Sequence, residues 1–258
     1  IYFVNKDGAA QSEIRVGYLT PLTYDATGDY YRAYLANYLL GGAFNSRINL
    51  NLREDKGYTY GARSGFQATR YIGPYTAQAG VRADATAASV KEFMKEIQNY
   101  RNGITDEELQ FLQASVGQND ALRYETGQQK AAFLARLLEY DLSKDYVKQQ
   151  SELLKNLKKE DVQAIAHKDL PADNMYIVVV GDRAKAFPGL SELGYEVVEM
   201  DAEGNRVSAP AAATAPATAP AATAAPATPE KMKVKTKDAD GKKEKRKAKA
   251  DKAEAKAE

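Results

Sequence analysis

Hydrophobic and polar positions change period repeatedly along the first eighty residues. Residues 1–5 (IYFVN) are a short apolar run closed by Lys6-Asp7-Gly8, which reads as a strand and its turn. Residues 13–20 (EIRVGYLT) alternate, with Ile14, Val16 and Tyr18 on one face and Arg15, Gly17 and Leu19 on the other, and Pro21 ends them. Over residues 28–40 the period becomes helical: Tyr30, Tyr31, Tyr34, Leu35, Tyr38 and Leu39 form a broad stripe, and Gly41-Gly42 stops it. That stripe reads as core or as an aromatic binding face. A short amphipathic helix follows and closes on Asn51-Leu52-Arg53-Glu54. The turn Asp55-Lys56-Gly57 then feeds a strand from Tyr58. Residues 57–68 and 72–82 both alternate and predict a hairpin-like antiparallel pair.

Residues 84–169 are almost wholly helical in pattern. Val90, Phe93, Met94, Ile97 and Tyr100 mark one helix, ended by Asn102-Gly103, and Thr105-x-x-Glu108 is a capping box for the next. The last helix stops before Pro171. Residues 175–181 (MYIVVVG) are a continuous apolar run rich in β-branched side chains, which predicts a buried central strand. Tyr195–Met200 reads as a final short strand. Strands, then a block of helices, then a strand predict an α+β fold, with helices packed against a mostly antiparallel sheet.

Composition divides the chain of 258 residues into three parts. Residues 1–205 are the foldable domain, long enough for one sizeable core. Residues 206–229 are nearly all Ala, Pro and Thr and hold five of the nine prolines, the mark of an extended linker. Residues 230–258 carry 12 Lys/Arg against 7 Asp/Glu without an apolar stripe. They read as a disordered tail that either contacts polyanions or solubilises the chain. The formal charge of +1 hides this asymmetry, because residues 1–229 are net −4. A mildly acidic domain argues against a nucleic-acid-binding fold. No run of 18 apolar residues marks a transmembrane helix. The non-Met start, already strand-like, reads as a fragment or as one domain of a longer chain.

Candidate chemistry is sparse. There is no cysteine, and the single histidine, His167, is expected as a surface or helix-terminal residue. One histidine cannot build an ordinary zinc site. Phosphate-binding glycine motifs, Gly-x-Ser-x-Gly and a Ser/His/Asp set are absent. Glu107-Glu108 sit at a helix start, where the helix dipole accounts for them.

The stretch LLGGAFNSRINLNLREDKGYTYGARSGF (residues 39–66) carries a further signal. LGGAFNSR followed by NLRE-x-x-G-x-x-Y resembles the C-terminal homologous domain of the pitrilysin/insulinase-type zinc peptidases, the inverzincins. That group includes the mitochondrial processing peptidases and the core subunits of the respiratory bc1 complex. GAAQSEIRVGY, the Tyr-rich helix and NMYIVVVGD extend the resemblance over about residues 1–205. It implies a duplicated α+β domain whose halves enclose a peptide. One half bears H-x-x-E-H, with two zinc-binding histidines and a glutamate base. The other offers an Arg and a Tyr seven residues apart that reach the substrate backbone.

Arg53 and Tyr60 match that pair. The resemblance implies Arg53 as a substrate-binding residue, and Tyr60 as a substrate-binding and catalytic one that stabilises the transition state. H-x-x-E-H is missing, so no metal or cofactor is expected in this chain, and zinc is expected in a partner half. Such a chain is inactive alone, and its partners are that half and a peptide. It is either the substrate-binding half of a metalloendopeptidase or a structural subunit of the same family. Zero cysteine and the Ala/Pro/Thr linker suit a bacterial periplasm or envelope, without separating these from the cytoplasm.

Overall fold

Six strands form one sheet in the order β3-β4-β2-β5-β1-β6. The computed structural model describes residues 1–122 and 125–207, so nearly all of the linker and the whole basic tail lie outside the described residues. β1 is Tyr2–Asn5, β2 Gln11–Leu19, β3 Thr59–Phe66, β4 Pro74–Arg82, β5 Tyr176–Gly181 and β6 Val198–Met200. β2 runs antiparallel to β4 and to β5, and β3 antiparallel to β4. β1 runs parallel to both β5 and β6. The expected α+β class with a mostly antiparallel sheet holds, and the hairpin over residues 57–82 forms.

Alternation along the strands gives the sheet one dry face. Ile14 and Val16 of β2, Tyr75, Ala77, Ala79 and Val81 of β4, Ile177 and Val179 of β5, and Phe3 of β1 are buried together. They pack on Leu35, Leu39, Leu40, Ile48, Leu52, Val90, Phe93, Ile97 and Tyr100 from the helical layer. A buried Leu or Phe of this kind stabilises by roughly 2–3 kcal/mol through removal of apolar surface from water.

Among the described residues, no element covers the opposite face. β5 therefore departs from expectation. It is central, between β2 and β1, but only one of its faces is dry: Tyr176 is 63% and Val178 36% exposed. A run of consecutive apolar residues signals two apolar faces, and the described helices cover only one of them.

The first helix, α1 (Asp29–Asn37), puts Tyr31 and Leu35 into the core, while Tyr34 stays partly exposed. The glycine pair does not end the helical path at once. Residues 38–42 continue it as a wide turn in which Ala43 N–H donates to Tyr38 C=O, five residues back. Gly41 sits where a Cβ would lie 2.6 Å from Ser64 N and 2.2 Å from Ser64 Oγ, so only glycine lets this turn lie against β3.

Helices α3 (Thr86–Tyr100), α4 (Asp106–Leu122), α5 (Gly127–Tyr140), α6 (Tyr146–Asn156) and α7 (Lys159–Asp169) follow in the expected block, with α2 described below. The capping box forms, with Thr105 N–H donating to Glu108 Oε2 at 2.8 Å and Glu108 N–H to Thr105 Oγ1 at 3.2 Å. His167 is exposed in the last turn of α7. The helix α8 (Arg183–Ser191), which contains Pro188, has no counterpart in the sequence reading. Asp182 starts it by accepting from Lys185 N–H at 3.2 Å.

β3 is an edge strand, and the chain seals that edge with side chains. Asn49 Oδ1 accepts from Ala62 N–H at 2.9 Å, and Asn37 Nδ2 donates to Ser64 C=O at 2.9 Å. The Tyr30 hydroxyl donates to Phe66 C=O at 3.4 Å.

Candidate functional site

Arg53 and Tyr60 are placed by a helix that changes its winding and a strand that bulges. The helix α2 (Arg47–Asn49) passes at once into a second wide turn over residues 50–55, closed by Lys56 N–H on Asn51 C=O at 3.0 Å. Leu52 is fully buried and holds this segment to the core. Its carbonyl accepts from Tyr58 N–H at 2.8 Å, which draws the chain straight back toward the sheet. Gly57 makes the reversal at φ +63°, a left-handed conformation that favours glycine.

β3 then carries one residue too many for its partner. Thr59 pairs with Val81 and Ala62 with Ala79, so three steps on β3 face two on β4. This is a β-bulge, and Tyr60 and Gly61 lie in it. The Thr59 hydroxyl holds the bulge, lying 2.7 Å from Gly80 C=O and accepting from Gly61 N–H at 3.1 Å. The bulge turns Tyr60 out of the dry layer, and its side chain is 89% exposed. Sequence patterning missed the bulge; Gly61 directly after Tyr60 was the available signal.

Arg53 is not free in solvent. Its Nη1 donates to Glu54 Oε1 at 2.5 Å, and its guanidinium lies 4.6 Å from the centre of the Phe44 ring. Arg53 and Tyr60 line one cavity of about 420 Å³, together with Glu54, Tyr58 and Arg82. Tyr60 also lines a second cavity of about 510 Å³, which takes in Phe44. The structure thus brings both sequence-predicted residues to one concavity, with an aromatic ring beneath the cation.

Arg47, in the same motif, is used differently. It donates to both carboxylate oxygens of Glu108, at 2.6 and 2.7 Å, and to Gly103 C=O at 3.1 Å. Its guanidinium stacks 5.0 Å over Tyr100. It fixes the start of α2 to the loop before α4, away from both cavities.

Among the described residues no group of three or more His, Cys, Asp or Glu is placed to hold a metal ion. The described residues therefore do not fit a zinc centre. Among the described residues no helix is long and apolar enough to cross a membrane.

Residues 1–116 match the family described as the peptidase M16 inactive domain. The fold is shared with a crystal structure of a peptidase M16 inactive domain from Pseudomonas fluorescens, at a TM-score of 0.63 and 26% identity over 70% of this chain and 43% of that one. A protease from Helicobacter pylori gives 0.62 and 19% identity, over 69% of this chain and 43% of the other. The periplasmic protease PqqL from Escherichia coli gives 0.56 and 16%, over 70% and 20%. No curated protein matches the chain. The chain thus spans less than half the length of these structures. Over residues 1–116 the chain is similar to the peptidase M16 inactive domain, and the resemblance drawn from residues 39–66 is borne out.

Proposed function

We propose that this chain is the zinc-free, substrate-binding half of a pitrilysin-like metalloendopeptidase. It positions a peptide for hydrolysis at zinc held by another half, in the same longer chain or in a separate subunit. The observation that carries this reading is Tyr60, standing exposed on a bulge over a cavity that it shares with Arg53.

The chemistry follows from the residue types. A guanidinium held between Phe44 and Glu54 keeps N–H donors for a peptide carbonyl, and a planar fork loses little freedom when it binds. A phenol hydroxyl facing the attacked carbonyl donates to the oxygen as negative charge grows there, so its effect is larger in the transition state than in the bound substrate. The periplasm or envelope is the proposed site of action, supported by the likeness to a periplasmic protease.

The test uses the complete two-half peptidase and a quenched-fluorescent peptide. Tyr60→Phe is expected to lower kcat about 100-fold with little change in KM. Arg53→Ala is expected to lower kcat/KM about tenfold or more. Unchanged kinetics in both variants would overturn the assignment.

A further inference from the structure

The second cavity beside Tyr60 takes in polar positions of the sheet face that the described residues leave uncovered, and its charges are arranged unevenly. Its floor is Gln78–Gly80 of β4, and one wall is the backbone of Gly41–Ala43 with Phe44. Asn49 ties that wall to β3, donating from Nδ2 to Phe44 C=O at 2.7 Å while its Oδ1 holds Ala62 N–H. Two charged side chains line the cavity, Arg63 from β3 and Glu13 from β2. Register separates them: Glu13 stands opposite Gly80, whereas Arg63 stands opposite Gln78. Two residues along the strands (about 7 Å) and two strand spacings across them (about 10 Å) place these positions roughly 12 Å apart.

Arg63 is held by a neutral group. With the Gln78 amide turned so that Oε1 faces Arg63, that oxygen accepts from Arg63 Nη2 at 2.7 Å and from Nε at 2.8 Å. Arg47, Arg53, Arg82 and Arg183 each pair with a carboxylate, of Glu108, Glu54, Asp84 and Glu199. A carboxylate orients a guanidinium and cancels its charge, while an amide oxygen orients it and leaves the charge in place. Arg15 stands on the other side of Gln78 in the same cross-strand row, exposed on the same face. The row Arg63–Gln78–Arg15 therefore carries two cations.

We propose that this cavity is a subsite for an acidic side chain of the peptide, received by Arg63 as Gln78 orients it. The proposal rests on the reading of the chain as a substrate-binding half. A carboxylate entering from the Tyr60 side meets the remaining N–H groups of a pre-oriented planar fork, the geometry that favours charge-assisted hydrogen bonds. Glu13 at the other end of the cavity repels a misplaced acid, so discrimination has a repulsive as well as an attractive component.

The experiment uses the complete two-half peptidase. The peptides carry Glu, Gln or Lys at one position at a time in an otherwise constant sequence. The native enzyme is expected to prefer Glu over Gln at one position by about tenfold in kcat/KM, the scale of one charge-assisted hydrogen bond. Arg63→Gln is expected to abolish that preference and Arg63→Glu to transfer it to Lys. The readout is a ratio between peptides on one preparation, so partial loss of folded enzyme cancels. Absence of any Glu preference, or a preference that persists in both variants, overturns the proposal. Tyr60→Phe separates the two levels. If it leaves cleavage intact while the Glu preference still follows Arg63, the catalytic assignment of Tyr60 fails and the subsite stands. If it slows cleavage while the preference ignores Arg63, the subsite alone fails.

Discussion

Arg47 and Arg53 lie six residues apart in one short segment and have opposite surroundings. Arg47 is mostly buried, forked onto Glu108, bonded to Gly103 C=O and stacked on Tyr100. Arg53 stands at a cavity rim, with one bond to its neighbour Glu54 and one aromatic face beneath it. Both belong to the stretch that carries the family resemblance, yet one guanidinium holds the scaffold together and the other lines a cavity. A motif residue acquires a role from what its side chain touches, and the winding of this segment places the two side chains on different sides of it.

Substitutions test that contrast at decreasing cost. Leu52 anchors the turn between the two arginines, and Leu52→Ala should cost about 3 kcal/mol through lost transfer and a residual cavity. It should move Arg53 as well as lower stability. Urea unfolding together with peptide kinetics would check this, and a stability loss without a kinetic one would show that the turn holds its shape without its anchor.

Next comes Glu108→Gln, which leaves Arg47 without a counter-charge in a largely dry place and should cost about 2 kcal/mol. The same pair sets a pH dependence. Burial raises the Glu108 carboxyl, but the bonds from Arg47 and from Thr105 N–H outweigh it and hold it below the usual carboxylate range. A depressed carboxylate contributes stability above its unfolded value, about 4.3, and that stability is lost as pH falls through the folded value. Unfolding midpoints measured from pH 6 down to pH 3 should therefore fall more steeply in the native protein than in Glu108→Gln. The smallest effect is expected for Glu54→Gln at the exposed pair, about 0.5 kcal/mol or less. Equal losses for Glu108→Gln and Glu54→Gln would end the contrast between a scaffold arginine and a rim arginine.

Much of this architecture was readable from local pattern. The alternation of β2 and β4, the helical block and the Thr105–Glu108 capping box are set by residues near one another in sequence, and all of them form. The spacing of Arg53 and Tyr60 was also visible, because Leu52 and Gly57 mark an anchored segment and a reversal between them. What escaped reading depends on distant partners or on a change of winding. The two wide turns have the composition of ordinary helix ends, and no residue type demands a five-residue bond. The bulge at Tyr60 exists only relative to the register of β4. Arg63 and Gln78 meet because the hairpin aligns them, and nothing around either residue announces the other. β5 read as buried on both faces because its sequence carries two apolar faces, of which the described helices cover one.

The sealed edge of β3 has a consequence for how a peptide is read. Many peptide-binding sheets take their ligand as one more strand, through backbone hydrogen bonds that ignore side-chain identity. Here Asn49, Asn37 and Tyr30 already occupy the outward groups of Ala62, Ser64 and Phe66, and Gly41 packs against Ser64 N. The same sealing denies a second molecule the template for edge-to-edge stacking. A peptide bound as proposed would then cross the strands at this end of the sheet, meeting a different side chain every 4.7–4.9 Å, so that its sequence, rather than its extended shape, would decide how well it is held.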